Sequence, residues 1–222
     1  MFEEIMKYKT VIFDLDGTLL YTLEDLADSL NAALAALGFP PRPLDYFNTA
    51  VGDGAETMVL RCLPESERDA DTLRRATERT LEEYHRRWNV KTRPYPGVPE
   101  MLDALTAAGV QKCILSNKPD ASTQKVVAEL LSHWNFDVVR GARSDTPVKP
   151  NPQSAIETAV QCGVAPADCL YVGDTDTDMR TAIAAGMFAL GVTWGFRSAD
   201  ELRENGAAAL VDHPLEIVDF IV

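Results

Sequence analysis

The sequence predicts an α/β fold, a doubly wound parallel sheet with an all-helical module inserted after its first strand, on three observations. Short apolar runs alternate with helical patterns from about residue 94 onward, a further apolar run stands alone at residues 10–15, and residues 21–93 read mostly as helix. Such alternation argues for strands covered on both faces by helices. The core is therefore assigned to residues 1–20 and 94–222, and the helical module to residues 21–93.

Each element has its own warrant. "TVIFDL" at 10–15 is rich in β-branched and aromatic residues, as a strand buried on both faces requires. Leu23, Leu26, Leu30, Ala33, Leu34 and Leu37 recur at helical spacing, and so do Leu73, Leu81, Tyr84 and Trp88 in "DTLRRATERTLEEYHRRWN". The charged remainder of that second helix reads as a solvated face with i,i+4 pairing. "TRPYPGVP" then breaks helix, because Pro94, Pro96 and Pro99 stiffen the chain where the second part of the core begins. "VPEMLDALTAAG" is a helix closed by Gly109, and "KCILSN" at 112–117 is the next strand. "NPQSAIETAVQCG" offers Asn151 as N-cap, Pro152 at the first helical position and Gly163 as terminator. "DCLYVGD" at 168–174 and "FALGVTWG" at 188–195 complete the main strands, with "FDVVRGA" and "AALVD" as weaker candidates. The chain has no internal repeat or low-complexity segment.

Composition excludes several classes of function. A net charge of −13, from 34 acidic and 21 basic residues, argues against a nucleic-acid partner, since phosphate backbones are held mainly by Lys and Arg. Cys62, Cys113, Cys162 and Cys169 form no CxxC pair and read as buried free thiols of a reducing compartment. "MFEEIMKYK" lacks a leader's apolar region, and no apolar stretch approaches the ~20 residues of a membrane span, so a cytoplasmic protein without a membrane partner is expected. His85, His133 and His213 have no partner spacing and read as surface residues. "VGDGAE" is no dinucleotide loop, because Thr57 stands at the third glycine position and no strand precedes it.

The chemistry-bearing residues fall at strand ends, which in a parallel sheet open onto one edge. Asp14 and Asp16 follow the first strand, Ser116, Asn117 and Lys118 the second, and Asp174, Asp176 and Asp178 follow "LYVG"; Lys149 stands alone in "PVKPNP". Two carboxylates about 4 Å apart repel by roughly 4 kcal/mol at an effective dielectric near 20. A hard divalent cation offsets this, and with no His or Cys beside these acids Mg²⁺ is expected and zinc is disfavoured. Ser116 and Lys149 suit a phosphoryl group beside that cation, which leaves Asp14 to attack it and Asp16 to serve as acid and then base. Asp178 reads as orienting the metal's ligands and Asp176 as a solvated acid; Asn117 either binds phosphate or shapes the turn.

"DLDGT", the "LSN" after a strand, the isolated lysine of "VKPNP" and "GDTDTD" resemble, in order, the four motifs of the haloacid dehalogenase superfamily. The resemblance covers the whole chain. It implies a Mg²⁺-dependent phosphatase with a helical cap over its core. It also implies that Asp14 is the nucleophile, that Asp16 is the acid and base, and that Mg²⁺ takes the Asp14 and Asp174 side chains and the Asp16 carbonyl. Ser116 and Lys149 would hold the phosphate. Within the superfamily, "DGTLLYTLEDLADSLNAALAALG" and "VGDGAETMV" look like the phosphoglycolate phosphatases, with Gly52 and Gly54 letting cap backbone approach a small phosphorylated metabolite. Tyr21 departs from that pattern, standing where many relatives carry an acidic residue. The expected assembly is a monomer or homodimer.

Three other activities share parts of this chemistry. A phosphosugar mutase differs only through its cap. A response-regulator receiver would carry its phospho-acceptor after the third strand, where this chain has no suitable Asp. True dehalogenases lack the second acid that Asp16 supplies.

Overall fold

Burial on both faces is what the first apolar run achieves. In the computed structural model, which describes residues 7–221, β1 (Thr10–Phe13) is buried throughout. Most of the N-terminal stretch read above for a leader lies outside the described residues. From β1 the chain passes through β2 (Leu20–Tyr21) into helices α1 (Leu23–Ala36), α2 (Phe47–Ala50), α3 (Ala55–Cys62) and α4 (Ala70–Arg87). It returns through β3 (Arg93–Pro94) and then alternates: α5 (Val98–Ala107), β4 (Gln111–Pro119), α6 (Asp120–Leu130), β5 (Val138–Ala142), α7 (Gln153–Gln161), β6 (Cys169–Gly173), α8 (Asp176–Ala185), β7 (Phe188–Val192), α9 (Ala199–Glu204) and β8 (Ala209–Val211). A 3₁₀ turn, Pro214–Phe220, follows.

The six-stranded sheet has the order β5-β4-β1-β6-β7-β8, and every neighbouring pair is parallel. This is a doubly wound α/β fold, and both weaker strand candidates belong to its sheet, as β5 and β8. Side chains alternate between its faces. Val11, Phe13 and Val172 join one apolar cluster, and Ile12, Tyr171 and Cys169 join the other. Each fully buried apolar side chain of this kind contributes roughly 1.5–3 kcal/mol.

α1 packs on α4, and its Leu23, Leu26, Leu30, Ala33 and Leu34, the leucine stripe legible in sequence, are buried. On α4 the charges pair along the helix, as Arg74 with Glu78 and Arg79 with Glu83. Periodicity could not reveal the short antiparallel pair of β2 with β3, in which Leu20 faces Pro94 and Tyr21 faces Arg93. Two residues per strand are too few to carry a pattern. Helix α7 begins at Gln153, one residue past the expected start, so Pro152 and not Asn151 is its N-cap; Asn151, one residue earlier, accepts the Gln153 N–H at 3.0 Å. All four cysteines are free, with the Cys113 and Cys162 sulfurs 3.3 Å apart, and the three histidines are exposed. No helix among the described residues is long and apolar enough to cross a membrane.

Candidate active site

Sheet register brings the acids together. Phe13 pairs with Ile114 on one side and Val172 on the other, so the next residue, Asp14, leaves the sheet between the ends of β4 and β6. Its N–H donates to the Val172 carbonyl at 2.9 Å, which holds it at that edge. Ser116, Asn117 and Lys118 lie near the end of β4, Asp174 directly follows β6, and Lys149 enters from the loop before α7.

Asp14 is buried, and its Oδ1 lies 3.0 Å from the Lys149 Nζ while accepting the Leu15 N–H at 2.7 Å. Lys149 also donates to Asp178 Oδ1 at 2.7 Å, where the Tyr171 hydroxyl donates at 3.3 Å. The other Asp178 oxygen accepts from the Thr175 hydroxyl and N–H at 2.6 and 3.1 Å, closing a capping box at the start of α8. Asp178 is thus fully engaged in holding Lys149 and the helix start. Burial, with the Asp178 charge, pushes the Asp14 carboxyl up to about 7 against the opposing pull of Lys149. Burial opposes the Lys149 charge too, but Asp14 and Asp178 outweigh it and raise its pKa.

Asp174 is wholly buried and accepts from the Thr18 hydroxyl and the Phe196 N–H, both at 2.8 Å. Burial, then Asp178 and Asp14, push its carboxyl well above the usual range. Gly17 and Gly195 make room for it: a Cβ on Gly17 would come within 2.3 Å of the Asp174 carboxylate, and one on Gly195 within 2.2 Å of its Cβ. One oxygen each of Asp14, Asp174 and Asp178 lies within 4.8 Å of the others, a set of hard donors that fits Mg²⁺. Each Asp178 oxygen already accepts two hydrogen bonds, whereas each Asp174 oxygen accepts one and Asp14 Oδ2 accepts none among the described residues, so Asp14 and Asp174 are the side chains with capacity left for a cation. Asp16 stands apart. Its carboxylate faces Lys118, whose Nζ donates to Oδ1 and Oδ2 at 2.8 and 2.6 Å, while no hydrogen bond reaches its backbone carbonyl among the described residues.

Ser116 is buried and accepts the Lys118 N–H at 3.2 Å. The Asn117 carboxamide ties two loops together, donating to the Lys149 and Gly52 carbonyls at 3.0 and 3.1 Å and accepting the Lys149 N–H at 2.9 Å. Gly52 and Gly54 have φ of +124° and +91°, and a Cβ on Gly52 would meet Thr175 at 3.3 Å, so the loop between α2 and α3 comes close to the core. A cleft lies between this loop, the helices and the sheet edge, lined by Asp14, Asp16, Ser116, Asn117, Gly52 and Gly54 among others. Tyr21 is not among its lining residues; it stacks edge-on against Tyr95 beneath the Arg93 guanidinium.

Sequence reasoning assigned no role to Lys118, Tyr84, Arg197 or the pair Thr177 and Asp53. Arg197 donates to the carbonyls of Asn48, Thr49 and Val51, and the Thr177 hydroxyl donates to Asp53 at 2.6 Å. Lys118 was visible as the residue after "SN", but its partner lies 102 positions away. Asp176, read as a solvated acid, pairs with Arg180 at 2.5 Å.

The model of the haloacid dehalogenase-like hydrolase family matches residues 8–186. The chain is 36% identical over 218 residues to a phosphoglycolate phosphatase of Nitrosospira multiformis, covering 96% of this chain and 95% of that one. It is 31% identical to an N-acetylmuramic acid 6-phosphate phosphatase of Pseudomonas aeruginosa, covering 97% and 96%. A crystal structure described as a predicted phosphoglycolate phosphatase from Haemophilus somnus superposes with a TM-score of 0.88 at 28% identity, covering 96% and 97%.

Proposed function

The chain belongs to the haloacid dehalogenase-like hydrolases and is a phosphatase of that family, and from this premise we propose a Mg²⁺-dependent phosphomonoesterase that hydrolyses a small organic phosphate, 2-phosphoglycolate first, through an aspartyl-phosphate on Asp14. One observation carries the reading. Asp14 is buried beside Lys149 and Asp174, and its Oδ2 accepts no hydrogen bond among the described residues.

Asp14 Oδ2 attacks phosphorus as the ester P–O bond breaks, and Asp16 gives its proton to the departing oxygen. Asp16 then takes a proton from water, which attacks the aspartyl-phosphate and releases inorganic phosphate. Lys149, fixed by Asp178 and Tyr171, supplies positive charge beside Asp14, and the Ser116 hydroxyl donates to a phosphate oxygen. The Asp14 and Asp174 side chains and the Asp16 carbonyl would hold Mg²⁺, which would supply positive charge for the phosphoryl oxygens. Asn117 is assigned to shaping the loops that carry Lys149 and Gly52, since its amide is committed to them.

Residues 21–93 act as a cap that closes over the cleft and excludes bulk water. Support comes from the β2–β3 pair, where the chain enters and leaves this segment side by side, and from a cleft walled by both parts.

Phosphate release should be measured with Mg²⁺ over a panel of 2-phosphoglycolate, N-acetylmuramic acid 6-phosphate, hexose phosphates, nucleotides and pyrophosphate. The highest kcat/KM is expected for 2-phosphoglycolate. Asp14→Asn should lower turnover at least about 10³-fold with circular dichroism unchanged; near wild-type turnover in that variant removes Asp14 as nucleophile. Transfer between sugar hydroxyls without net phosphate release would favour a mutase.

A further inference from the structure

Lys118 is a cation that the hydrolytic chemistry leaves unexplained. Its residue is 8% exposed, its Nζ forks the two Asp16 oxygens at 2.8 and 2.6 Å, and it sits 4.8 Å from the centre of the Tyr84 ring. An ammonium group has three N–H donors, and Asp16 takes two. The third faces the Tyr84 side chain. Among the residues lining the cleft, Lys118 is the one cationic side chain.

Tyr84 supplies a second observation. It is 5% exposed, lines the same cleft from α4, and its hydroxyl has no hydrogen-bond partner among the described residues. A buried hydroxyl without a partner is a standing cost unless a ligand satisfies it. The remaining side chains on the helical side are mostly apolar, Leu26, Val51, Met58 and Leu81, and the one further hydroxyl there, that of Thr80, already donates to the Ala76 carbonyl. They would leave the hydroxyls of a sugar unpaired.

We propose that Lys118, with the Tyr84 hydroxyl beside it, forms a subsite for a carboxylate borne by the leaving group, so that the preferred substrates are phosphate esters of small 2-hydroxy acids. This rests on the assignment of Asp16 as the acid that meets the ester oxygen. In such an ester a single carbon separates the ester oxygen from the carboxylate. One ammonium that already touches Asp16 is therefore placed to reach the carboxylate while Asp16 meets the ester oxygen, and its charge offsets that of the carboxylate. Because α4 carries Tyr84 and β4 carries Lys118, the subsite is complete only with the helical segment against the core. Lys118 is in this account a specificity-determining residue that acts on the leaving group and not on the phosphoryl group.

The test compares kcat/KM for 2-phosphoglycolate with that for 2-hydroxyethyl phosphate, the same skeleton with the carboxylate replaced by an alcohol. Wild type should favour the carboxylate by about 10- to 100-fold, the range of a charge-assisted hydrogen bond. Lys118→Met should bring that ratio close to unity, Lys118→Arg should keep most of it, and Tyr84→Phe should reduce it by a smaller factor, mainly through KM. A wild-type preference that survives in Lys118→Met, or no preference in wild type, overturns the subsite and leaves the phosphatase intact. If Lys118→Met does not fold, the Arg and Phe variants decide: an unchanged ratio in Tyr84→Phe together with a lost ratio in Lys118→Arg overturns it. If wild type hydrolyses neither ester, the phosphatase reading is what fails. The subsite is then judged by calorimetric binding of glycolate, which must be lost in Lys118→Met; equal binding overturns it.

Discussion

A carboxyl that is both a buried acid and a neighbour of a buried lysine responds to pH in a direction that can be worked out. Asp14 has its pKa pushed up to about 7 in the folded protein, above the ordinary aspartate value. Between about pH 4 and pH 7 the folded state therefore keeps a proton that the unfolded chain has released, so this group's contribution to stability falls as pH rises through that window. Asp14→Asn removes the titration. In excess chelator, the wild-type Tm measured relative to Asp14→Asn should fall between about pH 4 and pH 7, and Mg²⁺ should restore it at the upper end, where the carboxylates are free to bind. A difference in Tm that stays flat with pH and does not respond to Mg²⁺ would mean that Asp14 neither titrates there nor meets the cation.

Strand β6 and helix α8 are joined through Asp174 and Thr175 alone. The capping box sets Thr175 and Asp178 on each other, and the same Asp178 carboxylate then reaches Lys149 and Tyr171. A local helix-start signal is thereby converted into the placement of a charge opposite Asp14. Thr175→Ala removes the cap and leaves a buried carboxylate oxygen short of one donor, so a loss of about 1–3 kcal/mol in denaturant unfolding is expected. Turnover should drop far less than in Asp14→Asn, because Lys149 keeps its two acidic partners. Lost activity at unchanged stability would instead put the Thr175 hydroxyl on the substrate.

Across the whole molecule, the helical segment is tied to the core by three core side chains that grip one loop. Arg197 donates to the carbonyls of Asn48, Thr49 and Val51, Asn117 to that of Gly52, and Thr177 to the Asp53 carboxylate, which Arg61 also pairs. Burial raises the Asp53 pKa, but the Thr177 and Arg61 contacts outweigh it and hold the carboxyl low, so this link is anionic at neutral pH. Arg197→Ala frees carbonyls that side chains otherwise satisfy. Limited proteolysis within residues 48–54 should then speed up by about tenfold, the equivalent of ~1.4 kcal/mol in local opening. KM for the best ester should rise more than kcat falls. Unchanged cleavage and unchanged KM would show that Arg197 does not hold the loop.

Much of this was legible in the residues themselves. The strands at 10–13, 169–173 and 188–192 were readable because buried parallel strands need continuous apolar runs, and α1 because its leucines repeat every three or four positions. That Asp14, Asp174 and Lys149 belong to one site was readable because each stands at a strand end or just before a helix, and a parallel sheet sends those ends to one edge. The β2–β3 pair, the Lys118–Asp16 fork, the unpartnered Tyr84 hydroxyl and the Arg197 grip were decided by tertiary structure alone. Local pattern encodes which way a side chain faces along its own element. Which distant charge or carbonyl it meets depends on how two separately formed parts of the chain pack together.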